Sequence, residues 1–225
     1  MQALLSIASK AETLTTKLSS QQYEDALIIV EELIGLLDCE SRKTFENLRK
    51  NIMSKNIEKI INEKNYDEAL TKIQNYQREN IYSTKELNII ESKIYFYKSI
   101  QNLEQKNIDD AIRNVEIAIE KNPEEENFKM LNIKLLMEKK SYDEILIKIN
   151  EIENNISNEN IKTLKKFKSV ALNNKAVEIL SNNNLEESLV LLNESVELDP
   201  ENDTIKSNRF VYFKKLYVEL IEKSK

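Results

Sequence analysis

Apolar residues recur along this chain at spacings of three and four, the period of a helix with one buried stripe. Over residues 2–18 the stripe is Leu4, Ile7, Ala11, Leu14 and Leu18. Over 40–63 it is Phe45, Leu48, Ile52, Met53, Ile57 and Ile60, and over 159–181 it runs through Ile161, Leu164, Phe167 and Ala171. Shorter stripes lie between the long ones: Ala26/Val30/Leu33, Ala69/Ile73/Tyr76, Ala111/Val115/Ala118, Ile145/Ile149/Ile152 and Ser188/Leu192/Ser195. The same phrase introduces each short stripe: Gln22-Tyr23-Glu24-Asp25-Ala26-Leu27, then the runs beginning at Asn65, Asn107, Ser141 and Asn184. A polar residue stands where a helix N-cap belongs, and an acid three residues on completes a capping box. Two acids in the first turn also suit the positive end of the helix dipole.

The phrase is periodic. From Tyr23 to Tyr66 is 43 residues, to Ile108 another 42, to Tyr142 34 and to Leu185 43. A period in the range of about 20–50 residues is the signature of a stacked repeat. The pattern predicts five helical hairpins, at 2–38, 40–80, 83–122, 123–156 and 158–200, and a closing helix at 202–223. That is about eleven helices in one continuous array over 1–225. Ser83 with Glu86 supplies another capping box. The surplus of eight or nine residues over the short fourth repeat falls in the first helices, whose N-terminal turns are expected to project as ridges. In the fourth repeat Asn122 is read as the cap, Pro123 as the first helical residue and Glu124, Glu125 and Glu126 as the first turn. Asn182-Asn183-Asn184 is the expected turn of the fifth hairpin, and Gly35 falls in the last turn of its helix, loosening it or permitting close packing.

Ala111, Val115, Ala118 and Pro123, and in the same register Ser188, Leu192, Ser195 and Pro200, resemble the second helix of a tetratricopeptide repeat, a helix-turn-helix unit of about 34 residues. The first helices depart from that family. Where it has Trp, Leu-Gly and Tyr, this chain has Leu172, Lys175, Ala176 and Ile179, and Tyr95, Lys98, Ser99 and Asn102. The small residues fit and the lysines in place of leucine do not. The resemblance implies an all-α, right-handed helical-hairpin solenoid. It also implies a concave groove lined by first helices. By position that groove takes Ser54, Lys55 and Glu58; Phe96, Tyr97 and Ile100; Met130, Leu131 and Lys134; and Asn173, Asn174 and Val177. Ordinary packing between helices is the competing explanation for Phe96, Ile100, Leu131 and Val177. The full lysine, asparagine and arginine clamp that some members use on a chaperone tail is not present, so an apolar extended or helical peptide is the expected occupant.

Composition narrows the chemistry. The 225 residues are 40% hydrophobic and 32% charged, enough apolar material for a packed structure. One glycine and two prolines leave little punctuation for sheet loops. A net charge of −6 argues against neutralising a nucleic-acid backbone. No histidine is present, which removes Ser-His and Cys-His nucleophile pairs and the commonest general base and metal ligand. One glycine cannot build a phosphate loop, and Cys39 alone can form neither an internal disulfide nor a thiolate zinc site. Lys162, Lys165, Lys166 and Lys168 are read as a solvated helix face, with a phosphate-binding patch as the alternative. No enzyme activity, cofactor, metal, nucleic acid or membrane partner is expected. The opening residues lack a basic n-region and no stretch is long enough to span a bilayer, so a cytoplasmic location is expected.

The expected function is a scaffold or adaptor that binds a partner protein, peptide or helix. The alternative is a regulator in which a peptide in the groove changes the pitch of the solenoid. In the closing helix Leu216, Leu220, Phe213, Tyr217, Phe210 and Ile221 form the expected docking stripe, widened by Val211 and Val218, with Tyr212 apart. This surplus marks Val211, Tyr212 and Val218 as a candidate association face, for a homodimer or a following domain.

Overall fold

The computed structural model describes residues 2–79, 81–180 and 184–223, and the side chains of these except 2–4, 39 and 223. Leu4 of the first stripe, the thiol of Cys39, and Asn182 and Asn183 of the fifth turn therefore lie outside the described residues. Within them are eleven helices and no strand: α1 (Gln2–Ser19), α2 (Tyr23–Leu36), α3 (Cys39–Asn62), α4 (Tyr66–Arg78), α5 (Thr84–Glu104), α6 (Ile108–Lys121), α7 (Glu126–Lys139), α8 (Tyr142–Ile152), α9 (Asn158–Leu180), α10 (Leu185–Leu198) and α11 (Asp203–Lys223). The fold is an all-α array of helical hairpins. The chain divides within α5 into two compact units, Met1–Lys98 and Ser99–Lys225.

The first unit has two cores. Leu14 of α1, Ala26, Val30 and Leu33 of α2 and Ile52 of α3 form one, with Ile7, Leu18, Phe45 and Leu48 packed against it. Met53, Ile57 and Ile60 of α3, the α4 stripe Tyr66/Ala69/Ile73/Tyr76, and Tyr82, Leu87 and Ile94 form the other. The N-terminal turns of α3 do not stand free as ridges. Phe45 and Leu48 are covered by the preceding hairpin, and Arg49 is ion-paired to Glu31 of α2 and to Glu79 beyond α4. A long amphipathic helix finds cover on the hairpin before it as well as on its own partner.

In the second unit the α9–α10 pair approaches closely through small residues. Ser169 Oγ donates to the Ser195 carbonyl at 2.7 Å, and Ser195 Oγ donates to the Ser169 carbonyl at 2.7 Å. Both serines are fully buried, so each hydroxyl is satisfied by the other helix's backbone. Ser99 Oγ does the same toward the Ala111 carbonyl at 2.7 Å. Ala176, Leu185, Leu189, Leu192 and Tyr212 form the C-terminal core.

Four hairpin turns among the described residues share one construction. Gln21, Lys64, Lys106 and Lys140 have φ of 54, 61, 61 and 61°, and each directly precedes the cap of the second helix. The cap N–H reaches back to the first helix, Asn65 to the Ile60 carbonyl, Asn107 to Asn102 and Ser141 to Leu136. The residue before the cap donates to a carbonyl three back, as Lys106 does to Leu103. This is the Schellman motif, with its last residue doubling as the next N-cap. Side-chain capping itself is uneven. Asn107 and Asn184 accept from the backbone N–H of Asp110 and Glu187, whereas Gln22, Asn65 and Ser141 make no such bond. The Ser83–Glu86 box forms in both directions, at 2.9 and 3.3 Å.

The fourth hairpin begins later than its sequence suggests. Asn122 ends α6, its N–H donating to the Ala118 carbonyl, and Glu125 caps α7. Pro123 and Glu124 belong to the turn, and only Glu126 starts the helix. Asp199-Pro200-Glu201-Asn202 repeats this arrangement before α11, where Asn202 Oδ1 accepts from Ile205 N–H at 3.3 Å. At Gly35 an added Cβ would meet nothing within 4 Å, so it serves no close approach.

Candidate partner-binding surfaces

The phrase that opens each second helix supplies more than helix starts. Its first acid reaches the first helix of the next hairpin: Glu24 takes Asn56 of α3, Asp67 is paired with Lys98 of α5, Asp109 with Lys139 of α7 at 2.7 Å, and Asp143 with Lys175 of α9. Burial pushes the Glu24 carboxyl up, but hydrogen bonds from Lys72 and Asn56 outweigh it and hold Glu24 below its usual range. The Lys139 ammonium holds Asp109 down and is itself held up. Lys98 and Lys175 are the two lysines that depart from the family pattern. Each pairs its charge with an acid of the preceding hairpin.

Of the first-unit groove candidates, Ser54 is engaged in structure, its hydroxyl 3.0 Å from the Tyr82 hydroxyl. Lys55 and Glu58 are exposed on α3. Phe96 is half-buried and stacks edge-on to Tyr97 with ring centroids 5.6 Å apart, while Tyr97 is 44% exposed.

In the second unit Ile100, Met130, Leu131 and Asn174 are half-buried and Lys134 is exposed. Met130 and Lys134, four apart, share one face of α7. Val177 is 43% exposed on α9. Asn173 is buried and already used: its Oδ1 accepts from Asn208 of α11 at 2.9 Å and its amide donates to Asn174. It is a docking point for the C-terminal helix rather than a free groove residue. Lys162, Lys165 and Lys166 are exposed, and Lys168 binds Asn150 of α8 and Glu153, the residue that caps its C-terminus.

Helix α11 docks on a face the sequence pattern did not select. Ile205, Asn208, Tyr212 and Leu216 turn inward, a stripe about 100° round the helix from the expected one. Tyr212 is 8% exposed and packs with Leu185, Leu189 and Leu192, so it does not belong to the association face. Phe210, Phe213, Tyr217, Leu220 and Ile221, expected to be buried, are exposed, as are Val211 and Val218. Lys214 and Lys215, with Val218 and Glu219, line a hollow of about 340 Å³ on this surface.

The acids Glu124, Glu125 and Glu126 flank a polar cleft with Ser157 and Asn160. Glu126 accepts from the Ser157 N–H, the Ser157 hydroxyl and the Asn160 amide, which hold its carboxyl below the usual range. Among the described residues no group of three or more His, Cys, Asp and Glu is arranged to hold a metal ion, and no helix is long and apolar enough to cross a membrane.

No protein-family model matches this sequence, and no curated protein matches it. Solved structures are similar to it, three of them as follows. One is a TPR repeats protein from Bacteroides fragilis NCTC 9343, 15% identical, with a TM-score of 0.46 over 93% of this chain and 98% of that one. A second is YrrB, described as a TPR protein with an unusual peptide-binding site, 15% identical with a TM-score of 0.31 over 88% and 89%. A third is a thermophilic TPR protein in Thermus thermophilus, 12% identical with a TM-score of 0.30 over 92% and 98%.

Proposed function

We propose that this chain is a non-enzymatic protein-interaction scaffold that receives a peptide or helical segment on the open faces of its first helices. The observation that carries the reading is apolar exposure on helices whose opposite faces already close the cores. In the first unit Tyr97 stands 44% exposed, and in the second Val177 stands 43% exposed, with Ile100 and Met130 half-buried. Aromatic side chains in such places act as anchors because they bury much area with few rotors to freeze. Selection of a displayed peptide library against the whole chain tests the reading. Tyr97→Ala is expected to lose the peptides that the first unit selects and Val177→Asp those that the second selects, while the melting temperature stays within a few degrees. Selection yielding peptides that bind both variants undiminished refutes it, and so does unfolding of Tyr97→Ala, which assigns the ring to the core.

A second contact is inferred for α11, with a second copy of this chain as its occupant. Val211 and Val218 share a face seven residues apart, flanked by Lys214, Lys215 and Glu222. In an antiparallel pair about Val218, Lys214 of each copy meets Glu222 of the other, so the surface is complementary to itself as a two-fold interface requires. Light scattering at rising concentration is expected to show a dimer that Val211→Lys with Val218→Lys converts to folded monomers. A monomer throughout rejects this contact and leaves the peptide reading standing.

A further inference from the structure

Helix α11 stands in the same register as α7. The runs that lead into them, Asn122-Pro123-Glu124-Glu125 and Asp199-Pro200-Glu201-Asn202, are 77 residues apart, and so are the starts of α6 and α10 at Ile108 and Leu185. On one face the two helices agree. Phe128 and Leu135 of α7 are buried, and so are their counterparts Ile205 and Tyr212. On the next face they part. Ile133 and Leu136 are each 1% exposed, whereas their counterparts Phe210 and Phe213 are 57% and 62% exposed. The difference lies in the neighbours. α7 packs against α6 before it and against α8 and α9 after it, whereas α11 packs against α9 and α10 before it, and among the described residues no later helix covers it.

Tyr217 and Leu220, both exposed, continue this stripe along α11. Three rings of about 150–250 Å² each, more than half bare, make a patch on the order of several hundred Å², the size that on a soluble protein is often an interaction surface. It is neither of the surfaces proposed above. Met130 and Lys134 of the groove set correspond to Ser207 and Val211, and Val211 and Val218 lie more than about 100° round the helix from the centre of the stripe. The rim of the stripe is basic. Lys206, Arg209 and Lys214 are exposed beside it, and Lys214 Nζ stands 4.5 Å from the centroid of the Phe210 ring. Of the acids in α11, Asp203 is paired with Lys206 at 2.7 Å, and Glu219 and Glu222 lie on the opposite side of the helix. The same stripe on a second copy would set basic rim against basic rim, so this face does not complement itself.

We propose that the Phe210/Phe213/Tyr217/Leu220 stripe receives an acidic amphipathic helix of a partner protein, laid antiparallel to α11 as the second helix of a sixth hairpin. Its place is the one α8 takes on α7, running back along the first helix from the turn at Lys140. Its apolar residues, three and four apart, pack on the rings, and its carboxylates meet Arg209 and Lys214 at the rim.

The probe is a peptide with the sequence of residues 141–153, the segment that holds α8, acetylated, amidated and labelled with fluorescein. It carries four acids and one lysine, and a hydrocarbon bridge between positions 146 and 150, outside its Ile145/Ile149/Ile152 stripe, holds it helical. Fluorescence anisotropy against the whole chain is expected to show saturable binding. Phe210→Asp and Phe213→Asp, both exposed changes, are expected to weaken it at least about tenfold, a difference of about 1.4 kcal/mol, with helical circular dichroism and melting unchanged. Lys214→Glu is expected to weaken it and to lessen its salt dependence, and Val211→Lys to leave it as it is. The same peptide with its four acids replaced by glutamine or asparagine is expected to bind several-fold more weakly. The proposal is overturned if the acidic peptide does not saturate, if Phe213→Asp binds it as the parent does, or if the neutral peptide binds as tightly. It is overturned too if Phe213→Asp abolishes a dimer seen by light scattering, which gives the stripe to a second copy, or abolishes sedimentation of the parent with phosphatidylglycerol vesicles, which gives it to a membrane surface.

Discussion

Replacing Lys140 by glycine is expected to stabilise the second unit, although glycine is the poorest helix former after proline. Lys140 sits at φ 61° and ψ 30°, just past the end of α7, the left-handed region that costs an ordinary L-residue about 1–2 kcal/mol. Glycine escapes that strain but adds freedom to the unfolded chain worth about 0.4–1 kcal/mol. The substitution also removes a positive charge beyond the helix C-terminus, worth a few tenths to about 1 kcal/mol. Lys140→Ala isolates that charge, because alanine loses it and keeps the strain. The clean comparison is therefore glycine against alanine, where the balance favours glycine by about 0.5–1 kcal/mol. At Lys134, exposed in the middle of α7, the same pair must rank the other way by about 1 kcal/mol. Urea titrations followed by helical circular dichroism give the four stabilities. In a chain of this size ~1 kcal/mol moves the melting temperature by about 2–4 °C, so thermal melts resolve the inversion too. Glycine equal to or below alanine at position 140 refutes the strain argument, and Lys106, with the same φ, provides an independent repeat.

Gly35→Ala is expected to stabilise the first unit by about 0.5–1 kcal/mol, measured by the same titration, because the site is helical and the new methyl meets nothing. Glu86 is held down to about 2 by hydrogen bonds from Lys50 and the Ser83 cap. Its folded-state value lies below the unfolded one, so its contribution is complete above the ordinary glutamate range and fades as pH falls from there toward about 2. Glu86→Gln should flatten that part of the acid-stability profile, and an unchanged slope is the contrary result. Ser195→Ala is expected to cost no more than about 1 kcal/mol, since Ser169 keeps the Ser195 carbonyl, whereas Ser195→Leu overpacks the α9–α10 contact and costs about 1–3 kcal/mol or more.

The helices were legible because each carries one period over many residues. The predicted span 40–63 differs from α3 by a residue at each end, and the predicted start at 159 differs from that of α9 by one. The turns were not, because glycine is the usual sign of a left-handed C-terminus and this chain puts lysine or glutamine there. The sign that does exist is positional: Lys64, Lys106 and Lys140 each stand one residue before the phrase. The start of α7 was misplaced because Pro123 suits a first helical residue as well as a turn. The parallel run at Pro200, with Asn202 as the better cap, was the signal that separates them. The candidate groove divided for a similar reason. Position assigned Asn173 and Asn174 alike, but only contacts outside their own helix distinguish the residue that takes Asn208 from its neighbour.

The lysines at 98 and 175 and the docking of α11 have one cause. A hydrophobic period ranks the faces of a helix by apolar content, and it gives no weight to a polar pair formed with another hairpin. At Lys98 and Lys175 the charge is matched 31 and 32 residues back in the sequence, by Asp67 and Asp143. Those acids had a sufficient local explanation as first-turn residues, so nothing in the helix itself called for a partner. In α11 the apolar content is spread so widely that no face stands out, and a weak preference is then decided by the polar contact. Asn208 sits in the middle of the inward stripe and donates to buried Asn173, which an apolar side chain there would leave without its donor. Setting the helix in that orientation turns Phe210, Phe213, Tyr217 and Leu220 outward. The exposed apolar surface of α11 is thus a consequence of how a buried asparagine on α9 is satisfied, and it is the surface on which the contacts proposed above for this helix rest.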